Sequence, residues 1–313
     1  MDFSVPPCLR GYVDVNGAVR MTIGFVGFGE AGSTIAGGLR SAGGDRLVAY
    51  DIHRTDATRG PLIERRAVES GTHLVDSSAE LARESRIILS TVTSNAALDA
   101  AMQTAPFLTP EHVYADLNSV SPALQQQIGA VIAATGARFV EVAVMAPVAP
   151  YGHRVPMLLG GPAAQAFTEM LAPFGMRLEV LAGEIGAAAA VKMCRSIVVK
   201  GLEALMCECV LGASRYGADE KVFETLNESF PGLDWKKLAD YMVGRVVVHG
   251  ERRAREMEEV ADTLRSIGVD PIRAEATVRR QEWVARLGLA SHFGPDGPRT
   301  YRDVLDVLTT GHA

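Results

Sequence analysis

The sequence predicts an α/β region built on a doubly wound sheet with helices on both faces, followed by an all-helical C-terminal region. Three observations predict it. Short apolar runs alternate with helix-forming stretches from Thr22 to about Gly183. A glycine-rich turn joins the first run to the first helix, and no strand signal appears from Ala218 onward. At 313 residues the chain is long for one core, so two domains are the default.

In order, strands are expected at Thr22–Gly27, Arg46–Asp51, Arg86–Thr91, Val113–Leu117, Arg138–Val144, Pro156–Gly160 and Leu178–Leu181. Near-continuous apolar runs such as Ile87-Ile88-Leu89 suit parallel strands covered on both faces. Helices are expected between them at Ala31–Ser41, Asn95–Ala105, Pro122–Ala134 and Ala163–Leu171, with Ser121 as N-cap before a proline at the first helical position. After Gly186 comes one long helix, apolar around most of its circumference and therefore expected to be buried between the two domains. Further helices are expected at Ala218–Leu226, Trp235–Val248, Arg252–Ile267, Pro271–Leu287 and Tyr301–Leu308. The first twenty residues lack periodicity and read as a loose extension, with Met21 an alternative start.

The turn after the first strand is Gly27-Phe28-Gly29-Glu30-Ala31-Gly32, and Asp51 follows nineteen positions after Gly32. This is G-x-G-x-x-G in its working context, behind a strand and opening a helix, with an acid about twenty residues on. Gly27 permits the tight turn, Gly29 lets a pyrophosphate lie on bare backbone, and Gly32 lets helix and strand pack closely. A Rossmann-type dinucleotide site over Gly27–Gly32 is therefore expected. The domains become an extension (1–20), a dinucleotide-binding domain (21–185) and an all-helical domain (186–313), with 186–217 as interdomain helix. Asp51 suits a ribose 2′-hydroxyl and favours NAD, whereas Arg54 offers a cation for the 2′-phosphate of NADP. Thr91, Val92 and Thr93, after a neighbouring strand, are expected to border the nicotinamide, with helix capping by Ser94 as the rival reading of that turn.

Bulk properties narrow the function. A net charge of −6 argues against a nucleic-acid binder, and no apolar run approaches the length of a bilayer span. Four cysteines without metal-ligand or scaffold spacing suit free thiols in a reducing cytoplasm.

Beyond the glycine turn, Asp116-Leu-Asn-Ser-Val-Ser-Pro122 resembles the D-x-S-T-x-S-P substrate segment of the β-hydroxyacid dehydrogenase superfamily, and Lys192 falls where that family places its catalytic lysine. The resemblance runs from Thr22 to the C-terminus and is to a divergent, 6-phosphogluconate-dehydrogenase-like branch with its own C-terminal domain type. It departs from the family at Asn118 (usually serine), at Glu141-Val-Ala-Val-Met145-Ala146-Pro147 (usually D-A-P-V-S-G-G) and at Arg195 (usually asparagine). It implies an NAD(P)-dependent dehydrogenase acting on a small anionic β-hydroxy acid, with Lys192 as general acid/base, and a homodimer through the helical domain.

Residues 192, 195, 196 and 199 share one helical face, so Arg195 and Ser196 are substrate-binding candidates beside Lys192. The rival reading is a snorkelling lysine and a surface ion pair. Lys200 is either a second cavity cation or the partner of Glu203. Asn118 and Ser119 follow a strand at the carboxyl end of the sheet, where substrate contact competes with simple turn chemistry. His249 lies on a helical face with Arg252, Arg253 and Glu256, a face suited to an anion or to i,i+4 pairs such as Arg252–Glu256. Two further functions stay open: an imine reductase, admitted by the less polar Met145-Ala146-Pro147 floor, and a non-catalytic NAD(H)-sensing module.

Overall fold

The computed structural model describes residues 21–44, 46–294 and 297–310. The extension at 1–20, with the Met21 start, and Cys8 fall outside or at the edge of these. The chain divides into two compact units, one ending at Lys192 and the other beginning at Met193.

In the first unit, β1 (Ile23–Val26), α1 (Glu30–Ser41), β2 (Leu47–Tyr50), α2 (Gly60–Ser70), β3 (His73–Leu74), α3 (Ser78–Glu84), β4 (Ile87–Ser90), α4 (Ala97–Thr104) and β5 (Val113–Asp116) follow in order. They continue with α5 (Pro122–Ala133), β6 (Arg138–Val144), β7 (Met157–Gly160), α6 (Ala164–Leu171) and β8 (Leu178–Val180). The strands form one sheet in the order β3-β2-β1-β4-β5-β6-β7-β8. Each residue of β1, β4 and β5 is buried, which is why β1 and the first three residues of β4 and of β5 read as apolar runs, closed by Ser90 and Asp116. Two cores result, one on each face of the sheet. Phe25, Ile35 and Leu89 belong to one; Ile88, Tyr114 and Ile128 belong to the other.

The sheet is not wholly parallel, as the sequence had suggested. β7 runs antiparallel to β6, with Glu141 opposite Gly160. Between them lies only a 3₁₀ turn at Gly152–Arg154, too little for the helical crossover that a parallel pair requires. The sequence also gave no sign of β3, α2 and α3. β3 is two residues long on the edge of β2, too short to carry a period. α2 begins at Gly60-Pro61 and is largely polar, which masks its start.

The helix α7 (Ala187–Ser214) begins in the first unit and continues into the second. Its beginning is fixed by Glu141 on β6. Fully buried, Glu141 accepts hydrogen bonds from the backbone N–H of Gly186 (2.7 Å) and of Ala189 (2.6 Å). Those donors lack partners in any helix start, and the dipole favours a carboxylate there. Gly160 makes room: a Cβ on it would lie 2.5 Å from Glu141 Oε2. Further on, Val191, Val198 and Leu205 are 41%, 61% and 53% exposed, so α7 is not buried all round. These residues recur every seven positions and form one stripe, while Cys207 and Val210 face the core of the second unit.

The second unit contains α8 (Asp219–Ser229), α9 (Trp235–Ser266), α10 (Ile272–Arg286) and α11 (Tyr301–Thr310). α9 is one helix of 32 residues, where the sequence suggested two separated at 249–251. Gly250 costs that helix about 1 kcal/mol of propensity. In return it admits α10, because a Cβ there would lie 2.9 Å from the Gln281 carbonyl. Helix–helix contact therefore outweighs the breaker.

Replacing Glu141 by Leu strands two buried N–H groups and should cost about 2–5 kcal/mol in urea unfolding, whereas Glu141→Gln keeps one acceptor and should cost less. A Glu141→Leu protein as stable as the wild type would show that the contact is dispensable.

Candidate dinucleotide and substrate site

The sheet order reverses between β1 and β4, which leave the sheet side by side with Val26 opposite Ser90. Ligands of doubly wound folds lie in the crevice at such a switch point, outside the carboxyl ends of the strands. The loops after β1, β2, β4 and β5 meet there.

Gly27 has a left-handed φ of +79° and donates its N–H to the Tyr50 carbonyl (2.9 Å). A side chain on it would strike Val92 Cγ1 at 2.6 Å. Gly32 is equally confined: a Cβ would lie 2.5 Å from Thr91 Oγ1, which itself donates to the Gly27 carbonyl at 2.7 Å. Gly29 differs, since a Cβ there would meet nothing within 4 Å. It is the N-cap residue of α1, and no side chain caps that helix. Open space therefore faces free N–H groups and the positive end of a twelve-residue helix at Gly29, Glu30 and Ala31. These features fit the pyrophosphate of a dinucleotide.

Asp51 ties two loops together. Its Oδ2 accepts the Phe28 N–H (2.7 Å) and its Oδ1 the His53 N–H (2.9 Å). A carboxylate has lone pairs to spare, so a ribose hydroxyl remains within its capacity. Arg54 is occupied differently. Its Nε donates to Glu64 Oε1 (2.9 Å), and its Nη1 donates to Asp76 Oδ1 (2.6 Å) and the Leu74 carbonyl (3.3 Å). The Glu64 bond holds its pKa above the ordinary value. Thr93 precedes the 3₁₀ turn at Ser94–Ala96, which no side chain caps, so Ser94 does not play the capping role weighed for it.

After β5, Asn118 is buried and Ser119 exposed. The Asn118 amide donates to Ser90 Oγ (2.9 Å) and Asp116 Oδ2 (2.7 Å). Asp116 Oδ1 accepts from the Asn118 N–H (3.1 Å) and from Gln125 Nε2 (3.0 Å). Asn118 Oδ1 and Gln125 Oε1, both buried, have no hydrogen-bond partner among the described residues. Burial pushes Asp116 up to about 6, against the pull of the Asn118 and Gln125 bonds. The pattern of the sequence does not reveal this role of Asp116 or that of Gln125, which lies on the first turn of α5, four residues after the Ser121 cap.

Lys192, half-buried, lies on α7 one turn beyond Ala189, the residue whose N–H Glu141 holds. Arg195 is exposed and Ser196 half-buried on the same helix, inside the second unit. Within that unit, Lys200 pairs with Glu256 (2.7 Å) and not with Glu203. Glu203 instead takes both prongs of the buried Arg253, at 2.7 and 2.5 Å. Arg252 pairs with Glu256 (2.5 Å), the i,i+4 contact expected. His249 is half-buried beside these groups, its pKa lowered by burial and then by Arg252, Arg245 and Arg253. Cys207 is a buried thiol pushed up to about 12 by that burial, which leaves it unreactive.

Residues 22–178, half of the chain, match the family model described as the NAD binding domain of 6-phosphogluconate dehydrogenase, and residues 213–284 match a domain of unknown function, DUF1932. A conserved hypothetical protein from Sinorhizobium meliloti 1021 is 39% identical, with a TM-score of 0.74 over 86% of this chain and 90% of that one. The chain belongs to the β-hydroxyacid dehydrogenase superfamily. A second solved structure, a conserved protein of unknown function described as structurally similar to 3-hydroxyacid dehydrogenases, is 30% identical, with a TM-score of 0.73 over 85% of this chain and 98% of that one. The mitochondrial 3-hydroxyisobutyrate dehydrogenase of Drosophila melanogaster is 28% identical over 219 residues, which are 68% of this chain and 64% of that one. In superfamily terms, the N-terminal unit is an NAD-binding domain with a Rossmann-like sheet. Among the described residues, no helix is long and apolar enough to cross a membrane.

Asp116 gives the site a pH signature. Its pKa is higher folded than unfolded, so the fold favours the protonated form, and stability should fall as pH rises from about 4 through about 6. Denaturant midpoints over that range should show the Asp116→Asn variant gaining on the wild type as pH rises. A difference independent of pH would mean that Asp116 titrates as it does in the unfolded chain.

Proposed function

We propose that the protein is an NAD(P)-dependent dehydrogenase or reductase that interconverts a small anionic β-hydroxy acid and its keto form, with Lys192 as general acid/base. One observation carries the reading: the first unit combines an open, uncapped helix N-terminus at the sheet's switch point with a lysine on α7, held in register by the Glu141 anchor. A bound nicotinamide dinucleotide supplies the hydride acceptor or donor. The chain's own residues do the rest. Gly27, Gly29, Glu30, Ala31 and Gly32 receive the pyrophosphate, and Thr91, Val92 and Thr93 wall the crevice. In oxidation Lys192 Nζ takes the hydroxyl proton; in reduction it returns it.

Asn118 and Ser119 hold substrate in this reading. The Asn118 Oδ1 atom, left without a donor, supports that role. Arg195, with its planar fork, Ser196 and His249 are the further substrate-binding candidates. Asp51 at the ribose and the occupied state of Arg54 favour NAD. The cytoplasm suits the reduced thiols of the described residues.

An absorbance screen of β-hydroxy acids against NAD and NADP tests the reading. Lys192→Ala should lower turnover by roughly 10²- to 10⁴-fold while leaving the dinucleotide Kd almost unchanged. Parallel loss of turnover and dinucleotide binding would make Lys192 structural, and reduction of cyclic imines without hydroxy-acid turnover would move the assignment to C=N chemistry.

The exposed stripe of α7 supports a homodimer through the helical unit. Sedimentation equilibrium should give a dimer for the wild type and a monomer for Val198→Asp; a monomeric wild type would remove this part of the proposal.

A further inference from the structure

Arg54 stands three residues beyond Asp51, in the turn that follows β2, and the adenosine ribose of a dinucleotide is held at the end of that strand in doubly wound folds. A cation at that place ordinarily accommodates a 2′-phosphate. Here its guanidinium is committed on two sides, to Glu64 from α2 and to Asp76 from the turn after β3, and also to the Leu74 carbonyl. Asp76 is held in turn, since its N–H donates to Glu80 Oε2 at 3.0 Å. Two carboxylates, Glu64 and Asp76, hold the one arginine, and Glu80 adds to their field, so the Arg54 charge is already answered before any ligand arrives. Arg54 itself is 29% exposed in its side chain, whereas Glu64 and Asp76 are 51% and 87% exposed. The arginine lies under its partners, and the partners face solvent.

We propose that Glu64 and Asp76 are specificity-determining residues that act through Arg54, keeping it from a 2′-phosphate and so restricting the site to NAD. The inference rests on the dinucleotide reading above and deepens it. A 2′-phosphate must displace two carboxylates from Arg54 and then lie beside them and Asp51, whereas a 2′-hydroxyl needs only a lone pair of Asp51. Neither Glu64 nor Asp76 touches the cofactor in this scheme. They are distant from Asp51 in sequence, so the acid that follows β2 does not by itself describe the selectivity.

The test is direct binding, by calorimetry, of NADH and NADPH to the full chain carrying Glu64→Gln, Asp76→Asn or both, at low ionic strength. Wild type should prefer NADH. The double variant should bind NADPH at least tenfold tighter than wild type does, with NADH affinity changed by less than about threefold. Adding Arg54→Ala to the double variant should abolish the gain, which separates release of the arginine from a mere loss of negative charge. Both acids are exposed, and thermal unfolding of each variant checks that the fold persists. An unchanged NADPH/NADH ratio in the double variant overturns the inference while leaving the dinucleotide site standing. A gain that survives Arg54→Ala also overturns it. Failure of wild type to bind either nucleotide overturns the site and the inference together.

Discussion

A carboxylate buried in the middle of a sheet must be satisfied or it destabilises the fold, and Glu141 is satisfied by the start of another element. Its two oxygens hold the N–H groups of Gly186 and Ala189, and burial raises its pKa against their pull. The contact decides where α7 begins. It therefore decides the helical phase of every residue that follows, Lys192 included. It also accounts for one neighbour: Gly160, opposite Glu141 on β7, is glycine because Glu141 needs the space.

The same logic of one acidic side chain tying separate segments recurs at the crevice. Asp51 joins the loop after β1 to the turn after β2, and Asp116 gathers Asn118 and Gln125. In each case backbone or amide donors that would otherwise be loose are fixed before a ligand arrives. Preorganisation of this kind spares binding the cost of ordering the loops. The glycines contribute the complementary property of space, confined at Gly27 and Gly32 and open at Gly29.

Much of this was legible in the chain, for identifiable reasons. β1, β4 and β5 are covered on both faces, and burial writes itself into sequence as apolar runs that Ser90 and Asp116 close. The cofactor loop was legible because backbone geometry demands glycine at fixed offsets. What escaped was set by contacts between distant residues. The antiparallel turn of β7 depends on the missing crossover helix, and the continuity of α9 through Gly250 depends on α10. The ion pairs that occupy Arg54 join residues ten and twenty-two positions away. Lys200 illustrates the same limit: proximity in sequence suggested Glu203, whereas packing of α9 on α7 delivers Glu256 to Lys200 and Arg253 to Glu203.

Gly250 carries a consequence for the electrostatics of the helical unit. Only because it lacks a side chain can α9 and α10 close to the distance at which Gln281 seals the Glu203–Arg253 pair, whose side chains are 1% and 5% exposed. The strength of that pair is a property of the low dielectric around it, not of its two residues alone. A single methyl group at position 250, though uncharged, would meet the Gln281 carbonyl at 2.9 Å and press α10 away from α9. The missing atom thus acts as a dielectric control: by occupying no volume, it keeps a full pair of charges dry.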